Sequence, residues 1–424
     1  MKIFTCLASF FISTSVFAGS YIVVFDKSND QTTFQPMSKM IETYKAENRR
    51  DIARLYEDVQ LNSNIRITND LWAARSIVVN MSESTKSKLE NKDYIKSIIE
   101  NKRRQFLQQP HAPRQVSEVN EQAWGLRYLG IPQIRSMYPD LLGKGVRVAV
   151  LDTGIQSRHP EFASVTGPVV FKDFVNRLPY PYDDHGHGTH VAGTVSGVSV
   201  GVAPEAHMTV GKILDAGGSA FDSWILEGMQ WILDPDGNPD TDDFPHVVNN
   251  SWGGGLPNEP VDVSIFEAYH RIIQSWVSTG IIPVFAAGNS GTSPNGFPAA
   301  FPEVLAIGAV DQNEGLASFS SRGPNLWATE NSIISVAKPD FSAPGVETIS
   351  AAPNNEYAIM SGTSMATPHA VGMIALLLQA NPASNVKSVK SDLFRFSKAR
   401  QDLGFGLGII DGISLISSQF PPAP

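Results

Sequence analysis

A serine in the segment GTSMATPH is the strongest candidate for a reactive group in this chain. Ser364 lies between small residues just before an apolar run, where a helix is predicted to begin. A serine hydroxyl is a weak nucleophile until a neighbouring base accepts its proton, so the chemistry also requires a histidine and a carboxylate. The free N–H groups and the dipole at a helix start favour negative charge. The segment therefore predicts nucleophilic chemistry at Ser364.

Two upstream motifs supply the acid and the base. Asp152 ends the apolar run VRVAVLD, where an unpaired carboxylate would be costly to bury, and His187 stands in DDHGHGTHVAG at a predicted helix start. A neutral imidazole can accept the serine proton through one nitrogen while the other donates to the carboxylate. Considered alone, Asp152 could be a strand-end cap and His187 a core histidine. Together with Ser364 they predict a catalytic triad.

An asparagine and a proline complete this set of residues. Asn289 closes the apolar run IIPVFAAGN, and its amide can donate a hydrogen bond to a developing oxyanion. An isolated asparagine before Ser290 and Gly291 is more often a turn residue. Pro368 is predicted to lie in the first helical turn, where amides are unpaired anyway.

A metal site is the runner-up interpretation of the histidine segment. Clustered histidines and carboxylates are typical of hydrolytic zinc sites. The residues concerned are Asp183, Asp184, His185, His187 and His190. Their spacing does not match an HExxH helix, and a metal site leaves Ser364 without a role. A metal-dependent hydrolase and a catalytically silent peptide-binding module therefore remain as the alternatives.

The elements that must position these residues alternate in type beyond Trp124. Short apolar runs are followed by helical patterns, which predicts an α/β fold with a parallel sheet and helices on both faces. Ligands in such sheets gather at the carboxyl ends of strands. Asp152, Ser251 and Asn289 all lie at predicted strand ends. The fold can therefore bring distant residues to one edge of the sheet.

The segment from Tyr21 to Phe106 has a pattern of its own. The runs YIVVF and RSIVVNM predict strands, and residues 37–56 and 82–89 predict helices, which together indicate a small α+β domain. The next stretch, FLQQPHAPRQVSEVNEQ, is predicted to be an exposed linker because it is rich in proline and glutamine. Residues 19–110 carry a net charge of +3 and residues 111–424 a net charge of −13, so the two parts should attract.

Residues 1–18 are typical of an export signal. Lys2 is followed by an apolar stretch that is too short to span a bilayer and by the small residue Ala18. The only cysteine, Cys6, lies inside this signal, so the exported part has neither a disulfide nor a thiol nucleophile. The net charge of −9 argues against nucleic acid as a partner. We expect a secreted monomer, extracellular or periplasmic, with no nucleic-acid or membrane partner.

Taken together, the motifs resemble those of the subtilisin-like serine proteases. The matching segments lie between Trp124 and Gly412 and include AVLDTGI, HGTHVAGT, NNSWGG, AAGNSG and SGTSMATPHAVG. The resemblance implies a peptidase domain in residues 111–424 that hydrolyses protein substrates through an acyl-enzyme intermediate without a cofactor. It implies that residues 19–110 are an inhibitory propeptide, whose tail passes through the cleft before self-cleavage between about Gln105 and Val119.

The resemblance also assigns roles to individual residues. Asp152 would orient His187, His187 would act as general base and then acid, Ser364 would attack the peptide carbonyl, and Asn289 would form the oxyanion hole. The substrate-binding residues would line two pairing strands and a specificity pocket. They are Gly218, Ser219, Ala220, Ser251, Trp252, Gly253, Ala286, Ala287 and Gly288.

Two departures from the family pattern bear on ligands. The loop VSGVSV is shorter than the one that holds calcium in the better-known secreted members, so that site is predicted to be absent. The segment DPDGNPDTDD, residues 234–243, is instead a candidate for structural calcium, with an exposed acidic turn as the alternative. Asp222 stands where members with large hydrophobic subsites often have an aromatic residue, which leaves the preference of the outer pocket open.

Overall fold

The computed structural model describes residues 19–26, 36–59, 65–116, 123–253, 264–328 and 333–420. The predicted export signal, residues 1–18, lies outside the described residues. Within the described ranges, none of the helices has both the length and the apolar character that crossing a bilayer requires.

The N-terminal unit is a small antiparallel sheet with two helices, and its strands lie in the order β2-β3-β1-β4. Its elements are β1 (Gly19–Phe25), α1 (Met37–Asp58), β2 (Arg66–Leu71), β3 (Ser76–Met81), α2 (Glu83–Leu89) and β4 (Ile95–Glu100). The apolar strand β1 is central and pairs with both β3 and β4. The predicted α+β fold of this unit is therefore confirmed. Strand β2 was not predicted, because its polar sequence RITNDL is mostly exposed at the sheet edge.

Two short strands follow, β5 (Arg103–Gln105) and β6 (Arg114–Val116), and both pair with the remainder of the chain. The later strands are β7 (Arg147–Asp152), β8 (Val170–Asp173), β9 (His207–Lys212), β10 (Ser219–Phe221), β11 (Val247–Asn250), β12 (Ile282–Ala286), β13 (Leu305–Val310), β14 (Asn325–Ala328), β15 (Ile333–Val336), β16 (Phe341–Pro344), β17 (Thr348–Ala352), β18 (Glu356–Met360), β19 (Ser397–Lys398) and β20 (Ile409–Ile410). The later helices are α3 (Trp124–Tyr128), α4 (Ile131–Met137), α5 (His187–Ser196), α6 (Asp222–Trp231), α7 (Ser264–Ser278), α8 (Thr363–Ala380), α9 (Val386–Phe396) and α10 (Gly412–Ser417).

A nine-stranded sheet in the order β19-β20-β16-β13-β12-β11-β7-β9-β8 forms the centre of the large unit. Every neighbouring pair from β20 to β8 is parallel, and only β19 joins antiparallel. Side chains of a strand alternate between the two faces. On β7, Val148 and Val150 therefore belong to the core that contains α5 and α8, whereas Ala149 and Leu151 belong to the core that contains α6 and α7. The predicted parallel sheet with helices on both faces is confirmed.

The N-terminal unit packs against α6 and α7. Ile22 and Trp72 share one apolar core with residues of both helices, so the interface is continuous with the protein interior. The Arg271 guanidinium donates to the Phe25 carbonyl at 2.9 Å. Lys45 also pairs with Asp234 at 3.3 Å, in the sense expected from the opposite net charges of the two parts. Apolar contact and charge therefore both hold the unit on this face.

Two fully buried histidines make the stability of the fold sensitive to acid. His190 Nε2 donates to the carbonyls of Thr348 and Ala358, each at 3.0 Å, and thereby joins α5 to β17 and β18. Burial lowers the pKa of His190 to about 3 and that of His369 to about 4. Both values lie below the ordinary value of 6.5. Between these lowered pKa values and 6.5, the two histidines therefore bind protons in the unfolded chain but not in the folded chain.

We expect the contribution of these two histidines to the free energy of unfolding to be constant above about pH 6.5 and to fall as the pH drops from there towards 4 and 3. The loss is on the order of 1.4 kcal/mol per pH unit for each histidine. Urea unfolding of full-length Ser364→Ala protein across this range measures it. His190→Gln keeps a donor for the two carbonyls without titrating, so it should remove the share of the slope that belongs to one histidine, whereas His111→Gln, at an exposed site, should leave the slope unchanged. An unchanged profile in His190→Gln would contradict this account.

Candidate active site

The predicted acid and base are in direct contact. Asp152 is the last residue of β7 and His187 the first residue of α5, and the Nδ1 of His187 lies 2.8 Å from the Oδ1 of Asp152. Both side chains are buried, and the Thr153 N–H also donates to Oδ1 at 2.7 Å. The close approach depends on Gly188, because a Cβ there would lie 2.2 Å from the Gly154 carbonyl oxygen. The imidazole is therefore held with Nδ1 towards the carboxylate.

A buried polar network supports this pair. Thr153 Oγ1 accepts from the Gly188 N–H and donates to Asp183, both at 2.9 Å, which ties the end of β7 to the start of α5. Burial opposes ionisation of Asp183, but hydrogen bonds from Gly186 and Thr189 hold the pKa of its carboxyl below the ordinary value. The network fixes the position of the helix start relative to the strand end.

Lys212 is a functional neighbour that sequence reasoning missed. Its ammonium is fully buried at the end of β9 and donates to the Thr153 carbonyl at 2.7 Å and to Asp184 at 2.6 Å. It thereby anchors the backbone next to Asp152. A lysine inside the otherwise apolar run MTVGKIL was the signal that could have identified it.

Four of the five residues considered as a metal site have hydrogen-bond partners of their own. Asp183 accepts backbone N–H groups, Asp184 pairs with Lys212, and His190 joins α5 to β17 and β18. Within the part of the chain that the structure describes, no three such residues are grouped as ligands. His187 contacts Asp152, and His185 packs edge-on against His187 with ring centroids 6.2 Å apart.

Ser364 is the second residue of α8, which packs against α5. Among the described residues its hydroxyl donates to the Ser251 carbonyl at 2.9 Å rather than to His187. The Ser251 hydroxyl donates in return to the Ser364 carbonyl at 2.8 Å. The serine is therefore close to the residue that follows β11, and its hydroxyl must leave the Ser251 carbonyl before it can donate to His187.

Pro368 explains why the Ser364 carbonyl is available to Ser251. The prediction that Pro368 lies in the first turn was wrong, because α8 begins at Thr363 and the proline stands inside the helix. Proline has no N–H, so the carbonyl four residues earlier, that of Ser364, loses its helical partner. The Ser251 hydroxyl takes the place of that partner.

Asn289 is oriented by α8 and holds a peptide carbonyl. Its Oδ1 accepts from the N–H and the hydroxyl of Thr363, each at 3.0 Å, which assigns the side-chain nitrogen to the opposite side. That nitrogen donates to the Gln108 carbonyl at 2.7 Å. The amide therefore binds a carbonyl oxygen in the geometry expected of an oxyanion-hole donor.

The tail of the N-terminal unit is an extended strand in a cleft. β5 pairs antiparallel with β10, and the Gly218 carbonyl accepts from the N–H groups of Phe106 and Leu107, each at 3.1 Å. On the other side the Gly253 N–H donates to the Phe106 carbonyl at 3.2 Å. The prediction that this stretch is wholly an exposed linker was wrong. Phe106 and Leu107 are buried because the cleft supplies both hydrogen-bond partners and apolar contacts.

A pocket opens next to Ser364, at the base of this cleft. Most of the predicted substrate-binding residues line it or the two strands beside it. The lining residues include Trp252, Gly253, Ala286, Ala287, Gly288, Asn289, Thr363 and Ser364, together with Gln108 of the tail. Phe106 packs edge-on against Trp252, with ring centroids 6.0 Å apart. Residues of two of the three predicted segments thus line one depression, whereas the third segment, residues 218–220, pairs with the tail beside it.

The acidic segment 234–243 forms a turn that uses its own carboxylates. Asp236 accepts from the Asn238 N–H at 2.7 Å, and Asp243 accepts from the Asp236 N–H at 2.8 Å. Asp242 pairs with Arg147 at 2.9 Å. Structural calcium at this turn stays a prediction, and the hydrogen bonds account for the turn without it.

Comparison with known proteins agrees with this geometry. The Subtilase family matches the chain over residues 143–408. Bacillopeptidase F of Bacillus subtilis (strain 168) is 28% identical over 433 residues, which cover 92% of this chain and 29% of that protein.

Two shorter relatives are more similar in sequence. M-protease of Shouchella clausii (strain KSM-K16) is 38% identical over 270 residues, covering 62% of each protein. Subtilisin Savinase of Lederbergia lenta is 38% identical over 270 residues, covering 62% of this chain and 87% of that protein. The chain thus spans under two thirds of the length of two of these relatives. The match over residues 143–408, which contains all four polar residues of the site, shows that the chain belongs to the Subtilase family of serine endopeptidases.

Proposed function

We propose that this protein is a secreted serine endopeptidase that hydrolyses peptide bonds within extended segments of proteins. The observation that carries the proposal is the contact between the Asn289 amide and the Gln108 carbonyl, in a strand gripped on both sides, within a pocket lined by Ser364. An extended peptide held by main-chain hydrogen bonds is the β-augmentation mode of recognition. Because the grip involves backbone atoms, it suits many sequences.

The proposed reaction begins when the Ser364 hydroxyl turns from Ser251 towards His187. His187 accepts the proton as Ser364 Oγ attacks the peptide carbonyl, and Asp152 stabilises the imidazolium through Nδ1. The tetrahedral oxyanion then receives the Asn289 hydrogen bond. His187 returns the proton to the leaving amine, and water hydrolyses the acyl-enzyme by the same steps.

We further propose that residues 19–108 act as an inhibitory propeptide and that the chain cleaves itself between Gln108 and Gln109. The support is that the Gln108 carbonyl contacts the Asn289 amide, where the carbonyl of a cleaved bond must lie. The mature protein should therefore begin at Gln109, which intact mass and N-terminal sequencing measure. A mature terminus before Phe106 or after Pro113 would contradict the assignment.

Inhibitor specificity tests the proposed function against its alternatives. Matured protein should hydrolyse casein, lose activity with a sulfonyl fluoride and keep it with a metal chelator, because the proposed steps use side chains alone. Loss with the chelator and resistance to the sulfonyl fluoride would favour a metal-dependent hydrolase. Peptide binding without hydrolysis would favour a silent binding module.

The remaining features of the proposal concern partners and location. Protein substrates and the protein's own propeptide are the proposed partners, and the protein acts as a monomer. An export signal in residues 1–18 and the absence of cysteine beyond it support action outside the cytoplasm.

A further inference from the structure

The outer end of the cleft contains a shielded ion pair between the tail and the cleft wall. Arg104 of β5 lies opposite Ala220 of β10. Its Nε donates to the Oδ2 of Asp222 at 3.0 Å, and the two side chains are only 10% and 2% exposed. Arginine and aspartate are almost never buried to this degree unless they are paired. The contact is therefore a built feature of the interface between tail and cleft.

Contacts within the large unit orient the Asp222 carboxylate independently of Arg104. Asp222 is the first residue of α6, where the helix dipole favours an anion. Its second oxygen accepts from the Tyr269 hydroxyl at 3.2 Å, so the side chain has a fixed direction. Burial raises the pKa of the Asp222 carboxyl and Arg104 opposes that rise. A desolvated carboxylate of this kind is compensated best by a cation.

A second acid, Asp215, pairs with the neighbouring residue Arg103 at a more exposed position. Asp215 accepts from Arg103 Nε at 3.0 Å and Nη2 at 2.6 Å, and the N–H groups of Gly217 and Ser219 hold its other oxygen. The Arg103 side chain is 51% exposed, so water screens this pair. Asp222 rather than Asp215 is therefore the dominant charge at this end of the cleft.

The sequence distance between Arg104 and Gln108 gives the position of the Arg104–Asp222 pair relative to the bond that is cleaved. Arg104 precedes Gln108 by four residues, and the Gln108 carbonyl is the one that contacts Asn289. The strand pairing that brings Arg104 to Asp222 is made by backbone atoms. A protein substrate in the same register would present its own residue to Asp222.

We propose that Asp222 makes this outer subsite selective for a cationic side chain, arginine above lysine, at the fifth residue on the amino-terminal side of the cleaved bond of a protein substrate. The inference rests on the proposed endopeptidase function and adds a substrate class to it. Arginine is preferred because its planar guanidinium donates through Nε in a fixed geometry, whereas lysine offers only a flexible point charge.

Internally quenched peptides based on KRRQFLQQP provide the test with matured enzyme. The parent peptide is compared with one in which glutamine replaces the arginine equivalent to Arg104, and with one in which glutamine replaces the arginine equivalent to Arg103. A buried charge-assisted hydrogen bond corresponds to about 10- to 100-fold in kcat/KM. We expect that loss for the first change and less than about 5-fold for the second, because exposed pairs contribute little.

Enzyme variants assign the effect to the carboxylate. In Asp222→Asn enzyme, the ratio of kcat/KM for the parent peptide to kcat/KM for the first glutamine peptide should be close to 1. The matched control Asp215→Asn should keep most of the wild-type ratio. Equal cleavage of both peptides by the wild-type enzyme, or an unchanged ratio in Asp222→Asn, would overturn this inference alone. Failure of the wild-type enzyme to cleave any peptide or casein would overturn the proposed function and this inference together.

Discussion

Replacing Ser364 by alanine is expected to lower kcat by about 10⁶-fold, the loss known for removal of the nucleophile in a subtilisin. The reason is that Ser364 Oγ is the attacking atom in the proposed steps, whereas the hydroxyl of Thr363, which also lines the pocket, donates to Asn289 Oδ1. The same change should leave the chain as a full-length precursor, because the bond after Gln108 then has no attacking group. Hydrolysis of a quenched peptide and intact mass measure the two effects.

Two controls separate lost chemistry from inhibition by the tail. Adding a trace of active enzyme to Ser364→Ala protein should remove residues 19–108 without restoring hydrolysis beyond the added trace. Ser361→Ala, three residues earlier, removes a hydroxyl that accepts from the Glu347 N–H and does not line the described pocket, so this variant should mature normally. Correct maturation of isolated Ser364→Ala protein would refute self-cleavage.

Replacing Asp152 by asparagine is expected to lower kcat by about 10⁴-fold, as in an unrelated serine protease with the same acid–base pair. The carboxylate accepts from His187 Nδ1 and fixes the tautomer whose other nitrogen can accept the serine proton. An amide has a similar shape, but it is neutral and can present an N–H to the ring. The position of the His187 ring is therefore kept, but the tautomer that can accept the serine proton is no longer favoured.

Steady-state kinetics of matured Asp152→Asn protein should show the loss in kcat with little change in KM, and its urea midpoint should stay near that of the wild type. Asp311→Asn is the matched control, since that carboxylate caps the turn after β13. A decrease of less than 10-fold in Asp152→Asn would mean that Asp152 is not the orienting acid.

The positions of the polar residues on the elements were largely predictable from the sequence. Asp152 and Asn289 each follow an apolar run, and such runs became the buried parallel strands β7 and β12. His187 and Ser364 stand where runs of small residues begin helices. Strand ends and helix starts are local features, so hydrophobic period and small residues are enough to identify them.

Features that depend on tertiary partners were not predictable in this way. The stretch with Phe106 and Leu107 looks like a linker, because the partners that bury it, Gly218 and Gly253, are far away in sequence. The role of Pro368 likewise depends on the Ser251 hydroxyl, which replaces the missing helical N–H. Tertiary contact overrides local composition at these positions.

The same limit applies to charge. The sequence showed a net positive charge in residues 19–110 and a net negative charge in residues 111–424, which predicts general attraction. It could not show that Arg104 is shielded on Asp222 while Arg103 stays half exposed on Asp215. That difference in exposure separates a specific subsite from a solvated charge pair.

The most direct test of the central claim is to locate a covalent serine-directed label. Matured protein is inactivated with a sulfonyl fluoride, digested, and mapped by mass spectrometry. We predict one label per molecule, on Ser364, forming at a rate that falls strongly in Asp152→Asn protein. Stoichiometric labelling of a different residue, or full inactivation with Ser364 unmodified, would contradict the account.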